Sequence, residues 1–115
     1  MLAIDVSQTG AGTQISLSGR LTIDSSPEFR TRLLAVLHQE PKPGAITVDL
    51  ERVSYMDSSG LVTLIEGLKI ARSLQTTLTV TRLQGKIVRI LRAIGLFDLF
   101  EANGTTTVPV SSKVQ

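Results

Sequence analysis

The most constraining part of the chain is the passage from residues 45–50 into residues 61–71. The first stretch (Ala45, Ile46, Thr47, Val48, Asp49, Leu50) is an apolar, β-branched run with the length of a buried strand. In the second, Leu61, Leu64, Ile65, Leu68 and Ala71 recur at helical spacing. Between them runs Val53-Ser54-Tyr55-Met56-Asp57-Ser58-Ser59-Gly60, so Asp57 falls where a helix begins. Aspartate suits the N-cap there, its carboxylate accepting from amides two or three residues on. Ser58 and Ser59 follow in the first turn, which carries unpaired N–H groups and partial positive charge. A hydroxyl at that junction is placed to be modified or touched rather than packed away.

The rest of the chain supplies the scaffold. Residues 2–7 and 14–18 alternate apolar and polar around a turn at residues 9–12, which predicts a hairpin or a pair of neighbouring strands at the start of a sheet. Ser25, Ser26, Pro27 and Glu28 predict a helix start: either Ser26 caps with Pro27 at the first helical position, or Ser25 and Glu28 form a capping box. That helix is expected to reach about Gln39, burying Phe29, Leu33, Val36 and Leu37, with Glu28 and Arg32 paired outside. Gly67, within the second helix, points to close packing. A further strand is expected over residues 75–81, a third helix over 84–93 stopped by Gly95, and a short last strand over 96–101. The domain is expected to span residues 1–103, with residues 104–115 a flexible tail. Alternation of this kind predicts an α/β fold, an open mixed β-sheet with helices packed mainly on one face. The Gly19–Ser26 loop and the Asp57–Gly60 turn both follow strands, so they are expected to share the rim where such sheets do their work.

Composition removes several classes of function. The chain has 115 residues, no cysteine and one histidine, His38, so thiolate and histidine-rich metal sites are excluded. No cofactor is expected. Aromatics make up 3%, leaving an aliphatic core. No run approaches the ~20 apolar residues of a membrane span, the first residues do not resemble a signal peptide, and a cytoplasmic protein is expected. A net charge of +2 does not imply nucleic acid. Arg82, Lys86, Arg89 and Arg92 form a basic strip, read as a solvated helix face because no aromatic platform accompanies it. Ser58 lacks a Gly-x-Ser-x-Gly elbow, and no Walker-type loop is present, so no catalytic site is expected.

The segment from Val48 to Leu61, centred on Asp57-Ser58-Ser59-Gly60, resembles the signature of anti-sigma-factor antagonists, bacterial proteins of the STAS-domain family. Leu17-Ser18-Gly19-Arg20-Leu21 is similar to that family's second strand and following loop. Leu91-Arg92-Ala93-Ile94-Gly95-Leu96-Phe97 is similar to its late helix and turn, and the likeness runs in register over residues 4–101. The resemblance implies partner switching. The unphosphorylated antagonist binds an anti-sigma factor serine kinase, which phosphorylates the serine after the motif's aspartate, and a phosphatase reverses this. That serine is Ser58, with Asp24, Ser25, Asp57, Ser59 and Gly60 as the implied partner-binding residues. Where the family often carries acidic residues this chain has Arg20 and Thr22, with Asp24 following. The family usually closes with another helix, for which residues 104–115 are poor material.

Local chemistry alone reads Asp57 and Ser58 as an ordinary helix cap, and Ser59 as a cap or packing residue with the acceptor role as its alternative. Gly60 is expected to let a partner's backbone approach. No nucleic-acid or membrane partner is expected, and the chain is expected to be a monomer or weak dimer. Two other functions fit the same residues: a STAS adaptor subunit of a lipid-transport or stress-signalling assembly, without a phosphoswitch, and a small-ligand-binding or hydrolytic protein using the strand-end rim.

Overall fold

The structure, a computed structural model, describes residues 1–101. The tail expected at residues 104–115, and the end of the expected domain at 102–103, lie outside the described residues. β1 (Leu2–Thr9) and β2 (Gly12–Leu21) form an antiparallel hairpin with Thr9 opposite Gly12. Its turn is held by the Thr9 hydroxyl, which donates to Gly12 O at 3.1 Å and accepts from Ala11 N at 3.2 Å. After α1 (Ser26–Leu37), β3 (Ala45–Met56) pairs parallel with β2. After α2 (Ser58–Ser73), β4 (Thr77–Thr81) pairs parallel with β3, giving the order β1-β2-β3-β4. α3 (Gly85–Ala93) and α4 (Phe97–Glu101) complete the fold.

Strand alternation decides where the helices lie. Ile15 and Leu17 on β2, Ile46, Val48 and Leu50 on β3, and Leu78 and Val80 on β4 are buried. Their neighbours Gln14, Ser16, Thr47, Asp49 and Thr79 stay partly open. One sheet face thus lies under the helices, and the other is a polar surface rich in serine and threonine. From the helices, Phe29, Leu33 and Leu37 (α1), Leu64, Leu68 and Ala71 (α2), Ile87 and Leu91 (α3) and Phe100 (α4) fill the core. At Gly67 the Leu33 side chain of α1 packs directly against the α2 backbone, since a Cβ there would lie 2.6 Å from Leu33 Cδ2. This is the α/β architecture predicted above: an open mixed sheet with helices on one face.

The differences from expectation have local causes. β2 and β3 run past residues 18 and 50, to Leu21 and Met56, with their pairing slipping between Ser16 and Ser18 and again between Gly19 and Arg20. Gly19 has φ +108°, and a Cβ there would lie 2.2 Å from Met1 O. These slips expose Glu51 and Arg52 together and break the alternation that marks a strand in sequence. β4 begins at Thr77 rather than residue 75, because Gln75 (φ 59°) and Thr76 end α2 in a Schellman turn. Thr76 N donates to Ala71 O at 2.9 Å and Gln75 N to Arg72 O at 3.1 Å.

The strand expected over residues 96–101 is a helix instead. Gly95 (φ +77°) makes the same turn, with Leu96 N donating to Leu91 O at 2.8 Å and Gly95 N to Arg92 O at 3.2 Å. Phe97 and Phe100 then recur at a spacing of three, and Phe100 is fully buried. α1 ends at Leu37 with His38 as C-cap, two residues before the expected end. Glu28 and Arg32 form no ion pair among the described residues; Arg30 reaches across to Glu66 on α2 instead.

Candidate functional site

Four segments converge at the carboxyl ends of β2 and β3. The backbone of Asp57 donates to Leu21 O at 3.1 Å, which ties the end of β3 to the end of β2. From extended backbone (φ −101°, ψ −174°) the Asp57 carboxylate caps α2. Oδ1 accepts from Ser59 N at 2.9 Å, Gly60 N at 3.3 Å and Ser59 Oγ at 2.6 Å. Oδ2 accepts from Ile23 N at 3.0 Å, so one side chain fixes both the helix start and the loop leading to α1. The Ser59 hydroxyl holds the Asp57 carboxyl below its ordinary pKa, with the amides of Gly60, Ile23 and Ser59 acting the same way against partial desolvation.

The two serines after Asp57 differ in kind. Ser58 is the first residue of α2, exposed, and its hydroxyl makes no hydrogen bond among the described residues. Ser59 is half-buried and occupied: it donates to Asp57 Oδ1 and lies 3.1 Å from the hydroxyl of buried Ser26. Gly60 is buried and faces inward. A Cβ on it would lie 2.7 Å from Leu21 Cγ and 3.0 Å from Met56 Cγ, so its bareness serves the packing of α2 onto β2. The expectation that Gly60 leaves room for a partner's backbone is replaced by this internal role.

Ser25 occupies the N-cap of α1, but neither serine makes the expected side-chain cap, because both hydroxyls are engaged elsewhere. Thr22 O accepts from Ser25 N at 3.0 Å and from Ser26 N at 2.7 Å, and Pro27 has no N–H to satisfy. The Ser25 hydroxyl instead donates to Arg20 O at 2.8 Å and accepts from Thr22 N at 3.0 Å, folding the 20–25 loop on itself. Asp24 is exposed at the tip of that loop. It lines an open cleft of about 540 Å³ with Arg20, Thr22, Ser25, Glu28, Tyr55, Asp57 and the first two residues. Within the cleft the Arg20 guanidinium stacks over the Tyr55 ring, 4.6 Å from its centroid.

On the other side of Ser58 is an apolar shelf that sequence reasoning missed. Ile23 is 71% exposed and Val62 61%, and with Pro27, Thr63 and Ser59 they line a shallow groove beside Ser58. The groove ends at a two-pronged ion pair, Arg30 Nε and Nη2 each 2.8 Å from a Glu66 oxygen, which bridges α1 and α2. That hydrogen-bonded guanidinium holds the Glu66 carboxyl below its ordinary pKa, against some desolvation. Ile23 and Val62 were detectable as apolar residues outside both helical stripes. Among the described residues, no cluster of three or more His, Cys, Asp or Glu is placed to hold a metal, and no helix is long and apolar enough to cross a membrane.

An exposed hydroxyl at a helix start thus stands between an apolar shelf and a charged cleft at the strand ends of an open α/β sheet. The chain belongs to the STAS-domain family: the family model described as "Mlab, STAS domain" matches residues 4–101. It is similar to the anti-sigma-B factor antagonist of Staphylococcus aureus (strain NCTC 8325 / PS 47), 32% identical over 95 residues, covering 83% of this chain and 86% of that one. The anti-sigma-B factor antagonist of Bacillus subtilis (strain 168) is 28% identical over 99 residues, covering 85% and 87%. In structure, the chain is similar to the Bacillus cell fate determinant SpoIIAA in its phosphorylated form (TM-score 0.69, 17% identity, 96% of each chain), a likeness of fold.

Proposed function

We propose that the chain is an anti-sigma-factor antagonist acting in the cytoplasm by binding rather than catalysis. It binds an anti-sigma factor serine kinase while Ser58 is unmodified and lets go once Ser58 is phosphorylated; a phosphatase restores the binding form. The observation that carries this reading is the open Ser58 hydroxyl beside the Ile23–Val62 shelf. The antagonists of S. aureus and B. subtilis, and SpoIIAA in a phosphorylated form, support it.

The physics of the switch follows from position. A phosphoryl group on Ser58 Oγ adds about −1.5 to −2 charges. The positive end of the α2 dipole, whose Ser59 and Gly60 amides already serve Asp57, favours it by at most ~0.3–1 kcal/mol, and the neighbouring Asp57 carboxylate opposes it. In the free protein the two effects largely offset, so the fold persists. Against a docked partner the dianion must shed its water beside an apolar shelf, at a cost of several kcal/mol. Each ~1.4 kcal/mol is tenfold in affinity. Ser58 and Asp24 are the residues that meet the partner; Ser25, Asp57, Ser59 and Gly60 hold them in place from within.

Binding and phosphorylation by the host's anti-sigma factor kinase test this directly. Ser58→Ala is expected to bind like wild type and to accept no phosphate, and Ser58→Asp to bind at least ~10-fold more weakly. Equal phosphorylation of Ser58→Ala removes Ser58 as the acceptor. A second reading is a STAS adaptor subunit of a larger assembly, using the same exposed Ile23–Val62 shelf without a phosphoswitch. In that case Ser58→Asp leaves partner affinity unchanged while Val62→Glu abolishes it.

A further inference from the structure

α3 carries a face used by neither the core nor the Ser58 rim. It buries Ile87, Val88 and Leu91, yet Ile90 is 47% exposed and Ile94, its C-cap, 56%. Positions four apart are neighbours on a helix. Lys86, Ile90 and Ile94 therefore make one exposed row, with Arg89 and Ala93 the row beside it. From Arg82 to Phe97 every charged residue is positive. Arg82 is paired with Glu51 at 3.3 Å, and Arg92 stacks over the Phe97 ring at 4.7 Å. Lys86 and Arg89 have no ion-pair partner among the described residues. Just past the helix, Arg92, Gly95, Phe97 and Asp98 line a notch of about 300 Å³.

We propose that this face docks an acidic amphipathic helix of a partner protein, seating aliphatic side chains on Ile90 and Ile94 and carboxylates against Lys86 and Arg89. An apolar row bordered by unpaired cations is the complement of a helix whose apolar stripe is bordered by acids. A lipid surface fits less well. The helix has nine residues, its exposed apolar side chains are aliphatic, and Asp98 sits at the lip of a concave notch facing any anionic headgroups. A second copy fits no better, because two-fold pairing of this face sets Lys86 and Arg89 against their own kind. The surface shares no residue with the groove at Ser58, so it provides a second attachment point that phosphorylation leaves alone.

The probe is a fluorescein-labelled, hydrocarbon-stapled peptide helix with leucines four apart flanked by glutamates, titrated with the full chain and followed by anisotropy. Saturable binding is expected, weakened about tenfold or more both by Ile90→Ser with Ile94→Ser and by Lys86→Glu with Arg89→Glu. A peptide with lysines in place of glutamates is expected to bind the charge-reversed variant better than wild type. Ser58→Asp is expected to change the affinity by less than ~2-fold, since it lies outside this face. All substituted side chains are exposed, and circular dichroism verifies that each variant is folded. Equal binding by wild type and both double variants overturns the proposal. So does binding of phosphatidylglycerol vesicles in place of the peptide, or a dimer in sedimentation that Ile90→Ser dissolves.

Discussion

Replacing Gly60 by alanine measures how tightly the start of α2 is seated on β2. An ideal Cβ at this position lies 2.7 Å from Leu21 Cγ, 2.9 Å from Leu21 Cδ2 and 3.0 Å from Met56 Cγ. Carbon atoms rest best at ~3.5–4.0 Å, so three atoms on two side chains must each give way. Leu21 has no exposed surface, and its branch carbon is struck as well as a methyl, so a rotamer change does not relieve the contact. Overpacking of this kind costs roughly 1–3 kcal/mol. Alanine recovers at most about 1 kcal/mol through helix propensity, and less in a first turn. The net loss is therefore ~1–2 kcal/mol, a fall in Tm on the order of 10 °C for a domain of this size. Thermal melts of Gly60→Ala, Leu21→Ala and the double variant provide the assay. The double variant is expected to be more stable than the sum of the singles predicts, by about 1 kcal/mol. A Gly60→Ala melt that overlays wild type, or strict additivity, refutes the reasoning.

Three further outcomes are expected. Thr76 is buried and its hydroxyl has no partner among the described residues, so Thr76→Val should raise stability by about 1 kcal/mol in urea titration. Gln75 ends α2 at φ 59°, a conformation that suits glycine, and Gln75→Gly should raise the melting point in step with ~0.5–1 kcal/mol. The Asp57 carboxyl has a lowered pKa, so its contribution to stability is present above its unfolded value and is lost as pH falls through its folded one. Melting temperature followed from pH 5 downward, past about 4, should therefore fall more steeply in wild type than in Asp57→Asn. Glu66, lowered by Arg30, acts in the same sense in both proteins, so parallel curves would mean that Asp57 does not titrate as described.

The hairpin, the three longer helices and the parallel strands were legible because each follows one clean period. Asp57 was legible as a cap because the strand before it and the helix after it leave it no other place. The sequence signal failed where two periods overlap or where contacts replace local rules. Residues 96–101 contain Leu96, Phe97 and Phe100, which fit a strand or a helical turn equally well, and the Gly95 turn decides between them. Glu51 and Arg52 hide the continuation of β3, because a slipped register is a property of two strands. Ser25 and Ser26 read as caps, yet their hydroxyls are engaged by Arg20 O, Thr22 N and the Ser59 hydroxyl. The Ile23–Val62 shelf joins residues from a loop and the outer side of a helix, brought together by long-range contacts such as the Asp57–Ile23 and Ser26–Ser59 bonds.

The amino group end of the chain has a practical bearing on all of these measurements. Met1 O accepts from Arg20 N at 3.0 Å, and Met1 itself is fully exposed at the mouth of the cleft that holds Asp24 and Tyr55. An affinity tag or fluorescent fusion joined ahead of Met1 would emerge over that mouth and obstruct access to it. A label attached elsewhere, such as on the polar outer sheet face, leaves the approach clear.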